Sequence, residues 1–299
     1  METVKKIDIH AHAIAFPGLT PAHKGTGQPF LTAGQLIALY DDLGIEKGVL
    51  LPIVAPEAQW FIMSSEGAKF LSDQHPDRLA WFCNVDPRAG DNRADSDLGY
   101  ILEQYKKLGA RGLGELTANL YADDPMMDNL FSCCEKLDMP VIIHIAPQAG
   151  GYYGIVDDLH LPRIEKMLKK HPGLKLIGHS QVFWSEISAD NTDEIRSGYP
   201  TGKVTEGRIS GLMREYGNLY CDLSAGSGAN AMMRDPEFAA GFLTEFSDRI
   251  YYGCDICGAN TGFAYKLRDF LDQLVADRMI SGEVFYKICR GNAEKLLGL

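Results

Sequence analysis

Short apolar segments alternate with amphipathic segments along the whole chain, and this alternation limits the folds that the sequence can adopt. The apolar segments are continuous rather than alternately apolar and polar, which is typical of parallel strands covered by helices. Eight of them are predicted to be strands: Val4–His12, Gly48–Val54, Leu79–Val85, Arg111–Leu116, Pro140–Ile145, Leu174–His179, Asn218–Leu223 and Arg249–Asp255.

Segments with apolar residues at helical spacing separate these strands. The predicted helices are Thr32–Leu43, Trp60–Gln74, Leu98–Leu108, Met126–Leu137, Leu161–Lys170, Thr205–Tyr216, Pro236–Phe246, Phe263–Arg278 and Ser281–Leu297. Eight strand–helix units favour an α/β fold in which the strands close into a (β/α)₈ TIM barrel. We therefore predict one barrel domain over residues 1–299, with an extra C-terminal helix. A doubly wound open sheet is the alternative, and the lack of a GxGxxG motif after the first strand disfavours its nucleotide-binding form.

The charge and the apolar pattern of the chain bear on its partners. Forty acidic residues outnumber 29 Lys and Arg residues, giving a net charge of −11, so we do not expect nucleic-acid binding. No run of about 18 uncharged apolar residues occurs, so no membrane association is expected. Asp8 and His10 come before any apolar signal-peptide core, which predicts a cytoplasmic protein. A small-molecule substrate is expected, and a homo-oligomer is compatible with the sequence.

Two histidines end the first predicted strand with one residue between them. In an alternating strand, His10 and His12 lie on the same face, together with Asp8. Their imidazoles are then roughly 7 Å apart and can converge on one metal ion. A lone buried histidine is usually a hydrogen-bonded core residue, but a pair at this spacing is harder to explain in that way.

Other strands also end in groups that bind metals. Glu115, His144, His179 and Asp255 end strands four, five, six and eight, and the carboxyl ends of barrel strands meet at one mouth. Each alone could be a capping or core polar group. Together with the histidine pair they form a candidate ligand set. We expect Glu115 to point into the mouth and to ligate a metal directly; the alternative is that it accepts hydrogen bonds from the ligand imidazoles. Gly112 and Gly114 are expected to leave room for a helix outside.

With these residues in this order, the sequence resembles the amidohydrolase superfamily, and within it the amidohydrolase-2 branch. That branch also contains non-oxidative decarboxylases of the aminocarboxymuconate-semialdehyde and resorcylate type. The resemblance begins at Ile7–His12 and extends to Ile288–Gly298, which is similar to the C-terminal helix of the branch. It implies a TIM-barrel enzyme that depends on a divalent metal.

The resemblance also implies roles for individual residues. His10, His12 and Asp255 would hold the primary metal, and His144 matches the strand-five ligand. His179 matches the strand-six histidine, which is a polarising or acid–base group in mononuclear members. Glu115 matches the strand-four position, where binuclear members carry a bridging carboxylate or carboxylated lysine and many decarboxylases of the branch carry no ligand.

These residue types indicate metal-assisted hydrolysis. A divalent ion lowers the pKa of bound water, Asp255 can move that water's proton, and His179 can polarise a substrate carbonyl. Zinc suits the mixed ligands best, as one or two ions, and manganese or iron also fits. We predict a hydrolase of a small amide, lactone or ester. The alternative is a metal-dependent decarboxylase of a small carboxylic acid; a purely structural metal is disfavoured because it needs four ligands rather than six.

Three residues are candidates for substrate binding. Arg234 could clamp a substrate carboxylate or form a salt bridge with Asp235 or Glu237. Trp184 and Tyr152 lie in the loops after strands six and five, where they could form a wall of the pocket or pack those loops down.

Overall fold

Parallel strands form the centre of the molecule. The computed structural model describes residues 4–61, 63–258 and 260–299, and apart from isolated bridges the strands in these ranges are as follows. They are β1 (Lys6–Ala11), β2 (Ile45–Leu50), β3 (Leu79–Trp81), β4 (Leu113–Leu116), β5 (Val141–Ala146), β6 (Ile155–Val156), β7 (Leu176–His179), β8 (Leu219–Asp222) and β9 (Ile250–Tyr251). All except β6 match predicted barrel strands, and β6 is a short addition beside β5.

The strands form two sheets that join into one ring. One sheet has the order β1-β2-β3, and the other has the order β4-β5-β7-β8-β9, with parallel pairing throughout. At one junction the N–H of Cys83 donates to the carbonyl of Gly112, extending β3 alongside β4. At the other junction the N–H of Ile9 donates to the carbonyl of Tyr252, and Ala11 pairs in parallel with Ile256. These contacts confirm the predicted TIM-barrel architecture of a single α/β domain.

Helices follow the strands and cover the ring on the outside. They are α1 (Ala33–Leu43), α2 (Ser65–Gln74), α3 (Leu98–Lys107), α4 (Pro125–Lys136), α5 (Pro162–Lys170), α6 (Gln181–Ser185), α7 (Arg208–Glu215), α8 (Ala225–Met233), α9 (Pro236–Glu245), α10 (Gly262–Ala276), α11 (Gly282–Tyr286) and α12 (Asn292–Leu297). Within the described ranges, no helix is both long enough and apolar enough to cross a membrane.

Several helical segments differ from the prediction, including α6 (Gln181–Ser185), which was not predicted. Helix α2 begins at Ser65 rather than Trp60, because Ser64 caps it and a separate 3₁₀ helix occupies Pro56–Phe61. The predicted C-terminal helix is interrupted by a π-helical segment at Lys287–Gly291. Helix α8 was not predicted, since two glycines weaken its helical pattern.

The close approach of α8 to β8 explains one of those glycines. A Cβ on Gly228 would lie only 2.4 Å from the carbonyl carbon of Leu223. Glycine therefore lets α8 pack directly against the chain that leaves β8, although it lowers the helical propensity of the segment.

Apolar side chains fill the barrel interior, and the C-terminal helix closes one end of it. The interior cluster consists of Ile7, Ile9, Val49, Leu51, Phe82, Ile142, Ile177, Tyr251, Ala293 and Leu297. Ala293 and Leu297 come from α12, and the side-chain amide of Asn292 holds this helix to the carbonyl of Ile250 at the start of β9. The larger apolar cluster lies between the sheet and the outer helices. The predicted extra C-terminal helix is thus a plug at the amino ends of the strands.

A bulge in β1 changes the face on which its side chains lie. Asp8 pairs with Gly48 and Ala11 pairs with Leu50, so β1 has one more residue than β2 over this stretch. The extra residue changes which of the following side chains of β1 face the barrel interior and which face outward. His10 therefore turns into the barrel, whereas Asp8 faces outward and accepts a hydrogen bond from the Tyr40 hydroxyl on α1. The expectation that Asp8 shares a face with the histidines is wrong for this reason.

A second bulge lies in β4. Leu113 pairs with Val141 and Leu116 pairs with Ile143, so β4 has one extra residue between its two pairs. Leu113 and Leu116 both pack in the outer cluster, and the intervening Glu115 side chain enters the barrel mouth.

Gly112, just before β4, and Gly114, within it, make room for neighbouring barrel residues rather than for an outer helix. A Cβ on Gly112 would meet the ring of Phe82, which fills the barrel, at 2.5 Å. A Cβ on Gly114 would meet the backbone of Ile142 in the neighbouring strand at 2.9 Å. The expectation that these glycines make room for a helix outside is therefore wrong.

Truncation of the plug should destabilise the barrel. Leu297 is 1% exposed inside the ring, so Leu297→Ala should lower the free energy of unfolding by about 2–5 kcal/mol through lost burial and a cavity. Leu299, which is 63% exposed, is the matched control, and Leu299→Ala should change stability by less than about 0.5 kcal/mol. Chemical denaturation of both variants measures the difference, and equal midpoints would contradict the role of α12 as a plug.

Candidate metal centre

The six predicted ligands meet at the carboxyl ends of the strands. The Nε2 atoms of His10 and His12 each lie 3.6 Å from Oε2 of Glu115. Oδ1 of Asp255 lies 3.6 Å from Nε2 of His10 and 3.2 Å from Nε2 of His12. Nε2 of His179 lies 3.7 Å from Oδ2 of Asp255. The predicted convergence of strand ends is therefore found in the structure.

Glu115 lies between two halves of the cluster. Its Oε2 atom faces His10 and His12, whereas its Oε1 atom lies 2.6 Å from Nδ1 of His144 and 3.8 Å from Nε2 of His179. The ligand atoms form three overlapping groups: His10, His12 and Glu115; His10, His179 and Asp255; and Glu115, His144 and His179. Because Glu115 belongs to two of these groups, its carboxylate is in position to bridge them.

Three histidines are oriented by acceptors behind the cluster. Nδ1 of His12 lies 2.9 Å from the carbonyl oxygen of Leu51. Nδ1 of His10 and Nδ1 of His179 lie 2.9 and 3.0 Å from the two carboxylate oxygens of Asp222. A carbonyl or carboxylate oxygen can only accept, so each Nδ1 carries the proton. In the neutral rings the lone pairs then lie at Nε2 and face the centre of the cluster.

Asp222 is a functional residue that the sequence analysis missed. It ends β8 and is completely buried, and its Oδ1 atom also accepts hydrogen bonds from the backbone N–H and the hydroxyl of Ser224. Its position after Leu219–Cys221 repeats the pattern of the other strand ends, so that signal was available. Burial alone raises the pKa of Asp222, but the adjacent His179 and His10 outweigh it and hold this pKa well below its usual range.

Of the two carboxylates in the ligand cluster, Asp255 is the more exposed to the cleft. Its side chain is 24% exposed, compared with 4% for Glu115. The backbone N–H of Asp255 donates to the carbonyl of His10 at 2.7 Å, and its φ of 53° is in the left-handed region. Such a conformation costs of order 1 kcal/mol in a residue other than glycine and is typical of functional sites. The strand end thus aims this carboxylate at both the histidines and the cleft.

The donor set fits a divalent ion. Nε2 of His10 is buried and has no hydrogen-bond partner among the described residues. An unpaired buried ring nitrogen is costly unless it binds something. The separations of 3.2 to 3.8 Å within the cluster also resemble the distance of about 3.4 Å between ligands around a tetrahedral zinc ion. Imidazole nitrogens and carboxylate oxygens suit zinc, manganese and iron.

A cleft gives access to the cluster from outside. It has a volume of about 80 Å³, and His12, Glu115, His144 and Asp255 are among the residues that line it. The ring of Tyr153 lies 4.6 Å from that of His144 and forms part of the wall. Burial raises the pKa of Tyr153 far above its ordinary value, so its hydroxyl stays protonated.

The three predicted substrate-binding residues lie elsewhere. Trp184 is buried behind the site, where its indole N–H donates to the carbonyl of Asp222. Tyr152 is 45% exposed on the outer surface, and its neighbour Tyr153 enters the cleft instead.

Arg234 is held by its own surroundings. Its guanidinium donates to the carbonyls of Gly202 and Lys203, forming neither of the predicted salt bridges, and it lines a groove further out. The described lining of the inner cleft contains none of Arg234, Trp184 and Tyr152.

Loss of the Asp222 carboxylate should weaken metal binding without unfolding the chain. Asp222→Asn keeps the size of the side chain but offers one oxygen acceptor for two imidazole N–H groups. We expect metal affinity to fall by about 10- to 100-fold. Titration against a chelator measures this, with the exposed Asp277→Asn as the control. Unchanged affinity in a folded Asp222→Asn variant would contradict the orienting role.

Metal affinity should also rise with pH. Burial lowers the pKa of His10, but Asp222 and Asp255 outweigh it and raise this pKa well above its ordinary value. A proton at Nε2 must leave before an ion can bind, so protons compete at a higher pH than they would at an ordinary histidine. Below that pKa, affinity should fall by up to about tenfold for each unit of decrease in pH. Chelator competition at several pH values checks this, and a flat profile would contradict it.

Comparison with known proteins assigns the chain to a family. A family model described as "Amidohydrolase" matches residues 7–299. No curated protein matches the chain.

Solved structures share the fold at low sequence identity. An amidohydrolase from Burkholderia multivorans with bound zinc is 13% identical, with a TM-score of 0.61 and coverage of 99% of this chain and 100% of the other. A probable 2-pyrone-4,6-dicarboxylic acid hydrolase from Acinetobacter baumannii is 15% identical, with a TM-score of 0.58 and the same coverage. The 2,6-dihydroxybenzoate decarboxylase from Rhizobium is 16% identical, with a TM-score of 0.57 and 99% coverage of both chains.

These similar structures confirm the barrel fold, and the family match extends over nearly the whole described chain. The chain therefore belongs to the amidohydrolase family, whose members are metal-dependent enzymes.

Proposed function

We propose that this chain is a metal-dependent hydrolase of a small amide, lactone or ester, with zinc as the favoured ion. The observation that carries the proposal is the position of Glu115, whose two oxygens face different halves of the ligand cluster. A carboxylate at this strand end compensates the charge of one ion or bridges two. Manganese and iron are the alternative ions.

The residues of the chain supply proton transfer and orientation. A bound divalent ion would provide a water molecule of lowered pKa. Asp255, the more exposed carboxylate, is placed to accept a proton from an attacking water molecule and would return it to the leaving group. The water oxygen bonds to the acyl carbon, the bond from that carbon to the nitrogen or oxygen of the leaving group breaks, and an acid and an amine or alcohol result.

His179 can serve this reaction in two ways. As a neutral ring it presents a lone pair at Nε2, because its Nδ1 proton is directed at Asp222. In this form it is a metal ligand. With a second proton it would donate from Nε2 to the substrate carbonyl and stabilise negative charge there, and the Asp222 carboxylate would stabilise the imidazolium. The orientation of the ring is the same in both cases.

Decarboxylation is the second candidate function. The fold is shared with the 2,6-dihydroxybenzoate decarboxylase from Rhizobium, and the same ligand cluster could bind a carboxylic acid. The two reactions differ in their products, since hydrolysis adds water to the substrate and decarboxylation releases CO₂. A panel of small esters, lactones, amides and aromatic acids, assayed in ¹⁸O-labelled water with CO₂ detection, separates them.

Asp255→Asn should reduce turnover more than it reduces metal content. The amide oxygen still coordinates weakly but cannot accept a proton, so kcat should fall by about 100- to 10,000-fold. Elemental analysis of the same sample gives the metal content, and the exposed Asp77→Asn is the control. A near-normal rate in the Asp255→Asn variant would refute the proton-transfer role. CO₂ release without ¹⁸O incorporation would reject hydrolysis itself.

A further inference from the structure

The inner cleft above the metal cluster has apolar walls. We call this space, between the ligand cluster and the outer groove, the chamber. Its walls beyond the predicted ligands are Ala13, Ile14, Phe30, Ile53, Met63, Tyr153 and Cys257. The first five of these are at most 6% exposed. A substrate group in the chamber therefore lies against hydrocarbon, a phenol and a thiol.

No cationic side chain lines the chamber. Neither Lys nor Arg is present among its described lining residues. The parts of the chain outside the description, including three side chains in the 59–61 segment, contain no Lys or Arg in the sequence either. Lys266 and Arg234 instead line the outer groove, where the Arg234 guanidinium is already held by backbone carbonyls. A carboxylate inside the chamber would therefore find no Lys or Arg among the described lining residues.

The acidic groups of the ligand cluster also disfavour an anionic substrate group. Glu115, Asp222 and Asp255 bring three negative charges to the cluster. One divalent ion does not neutralise them, and two ions with a bound hydroxide only balance them. Taking a carboxylate from water into an apolar space costs several kcal/mol unless a cation or hydrogen-bond donors compensate it. The chamber thus penalises an anionic group twice, by desolvation and by repulsion.

We propose that the chamber selects a substrate whose acyl part is neutral and apolar, and that it rejects acyl parts that carry a carboxylate. The inference rests on the proposed hydrolase function and names the substrate class of the same site. The proposal places the acyl part in the chamber and the leaving group in the wider groove outside it, which Lys266 lines, so the selection concerns the acyl part alone.

Two metal-directed probes of the same length test the selection without turnover. Butyrohydroxamate and succinic monohydroxamate both bind divalent ions through the hydroxamate, and differ in ending with a methyl group or a carboxylate. Titration calorimetry with the metal-loaded protein should show butyrohydroxamate binding at least about tenfold more tightly. Equal affinities, tighter binding of the succinyl probe, or no binding of either probe would overturn the proposal.

A lysine placed in the wall should reverse the preference. The carbonyl of Met63 accepts a hydrogen bond from the N–H of Ile53, so the backbone at this position is anchored. Met63→Lys should improve binding of the succinyl probe by about tenfold relative to the butyryl probe. Met279→Lys, at an exposed methionine, is the control and should leave the ratio unchanged. An unchanged ratio in a folded Met63→Lys variant would contradict the proposal; if that variant does not fold, the wild-type comparison still decides.

Turnover distinguishes this inference from the proposed function. 4-Nitrophenyl butyrate and mono-4-nitrophenyl succinate carry the same leaving group, and kcat/KM should favour the butyrate by at least about tenfold. Hydrolysis of both with a preference for the succinate would overturn the inference while supporting a hydrolase. Selective binding of butyrohydroxamate without hydrolysis of any ester, lactone or amide would reject the hydrolase function and retain the charge selection of the chamber.

Discussion

The carboxylate of Asp222 is the interaction on which the metal centre depends. Its two oxygens accept hydrogen bonds from the Nδ1–H groups of His10 on β1 and His179 on β7, two strands that are not neighbours in the ring. This fixes two imidazoles with one buried charge and directs both Nε2 atoms at the same point. Ser224 and the indole of Trp184 hold the residue from behind. The geometry of the centre is thus set by a residue that does not itself face the cleft.

The two bulges turn the barrel into a scaffold for ligands. A regular strand that places Ile7 and Ile9 in the apolar interior would turn His10 outward, toward the helices. The extra residue in β1 lets Ile9 and His10 both lie inside, and the extra residue in β4 brings Glu115 between the outward-facing Leu113 and Leu116. The packing of the interior and the position of the ligands are therefore compatible only because the strands are irregular at these residues.

Much of this arrangement could be predicted from the sequence. Continuous apolar segments identified the barrel strands, and polar residues at strand ends identified the side chains that the structure brings together. What could not be predicted depends on contacts between distant segments. The bulge after Asp8 can be recognised only from the pairing of β1 with β2. The glycines of α8 are typical of a loop, and only the close approach of Gly228 to Leu223 explains why glycine occurs within this helix. Tyr152 was predicted to line the pocket, but Tyr153 does so instead. Nothing in the local sequence distinguishes these two residues, whereas the packing of Tyr153 against His144 does.

The uncharged, cation-free wall of the cleft has a consequence for the end of a catalytic cycle. Hydrolysis of a neutral acyl compound creates a carboxylate in the space that the neutral group occupied. With no Lys or Arg in the described lining to hold it, this anion faces Glu115 and Asp255 and is expelled toward water. Product inhibition should then be weak. A wall that accepts a neutral acyl group and disfavours its carboxylate product would favour product release without any moving part.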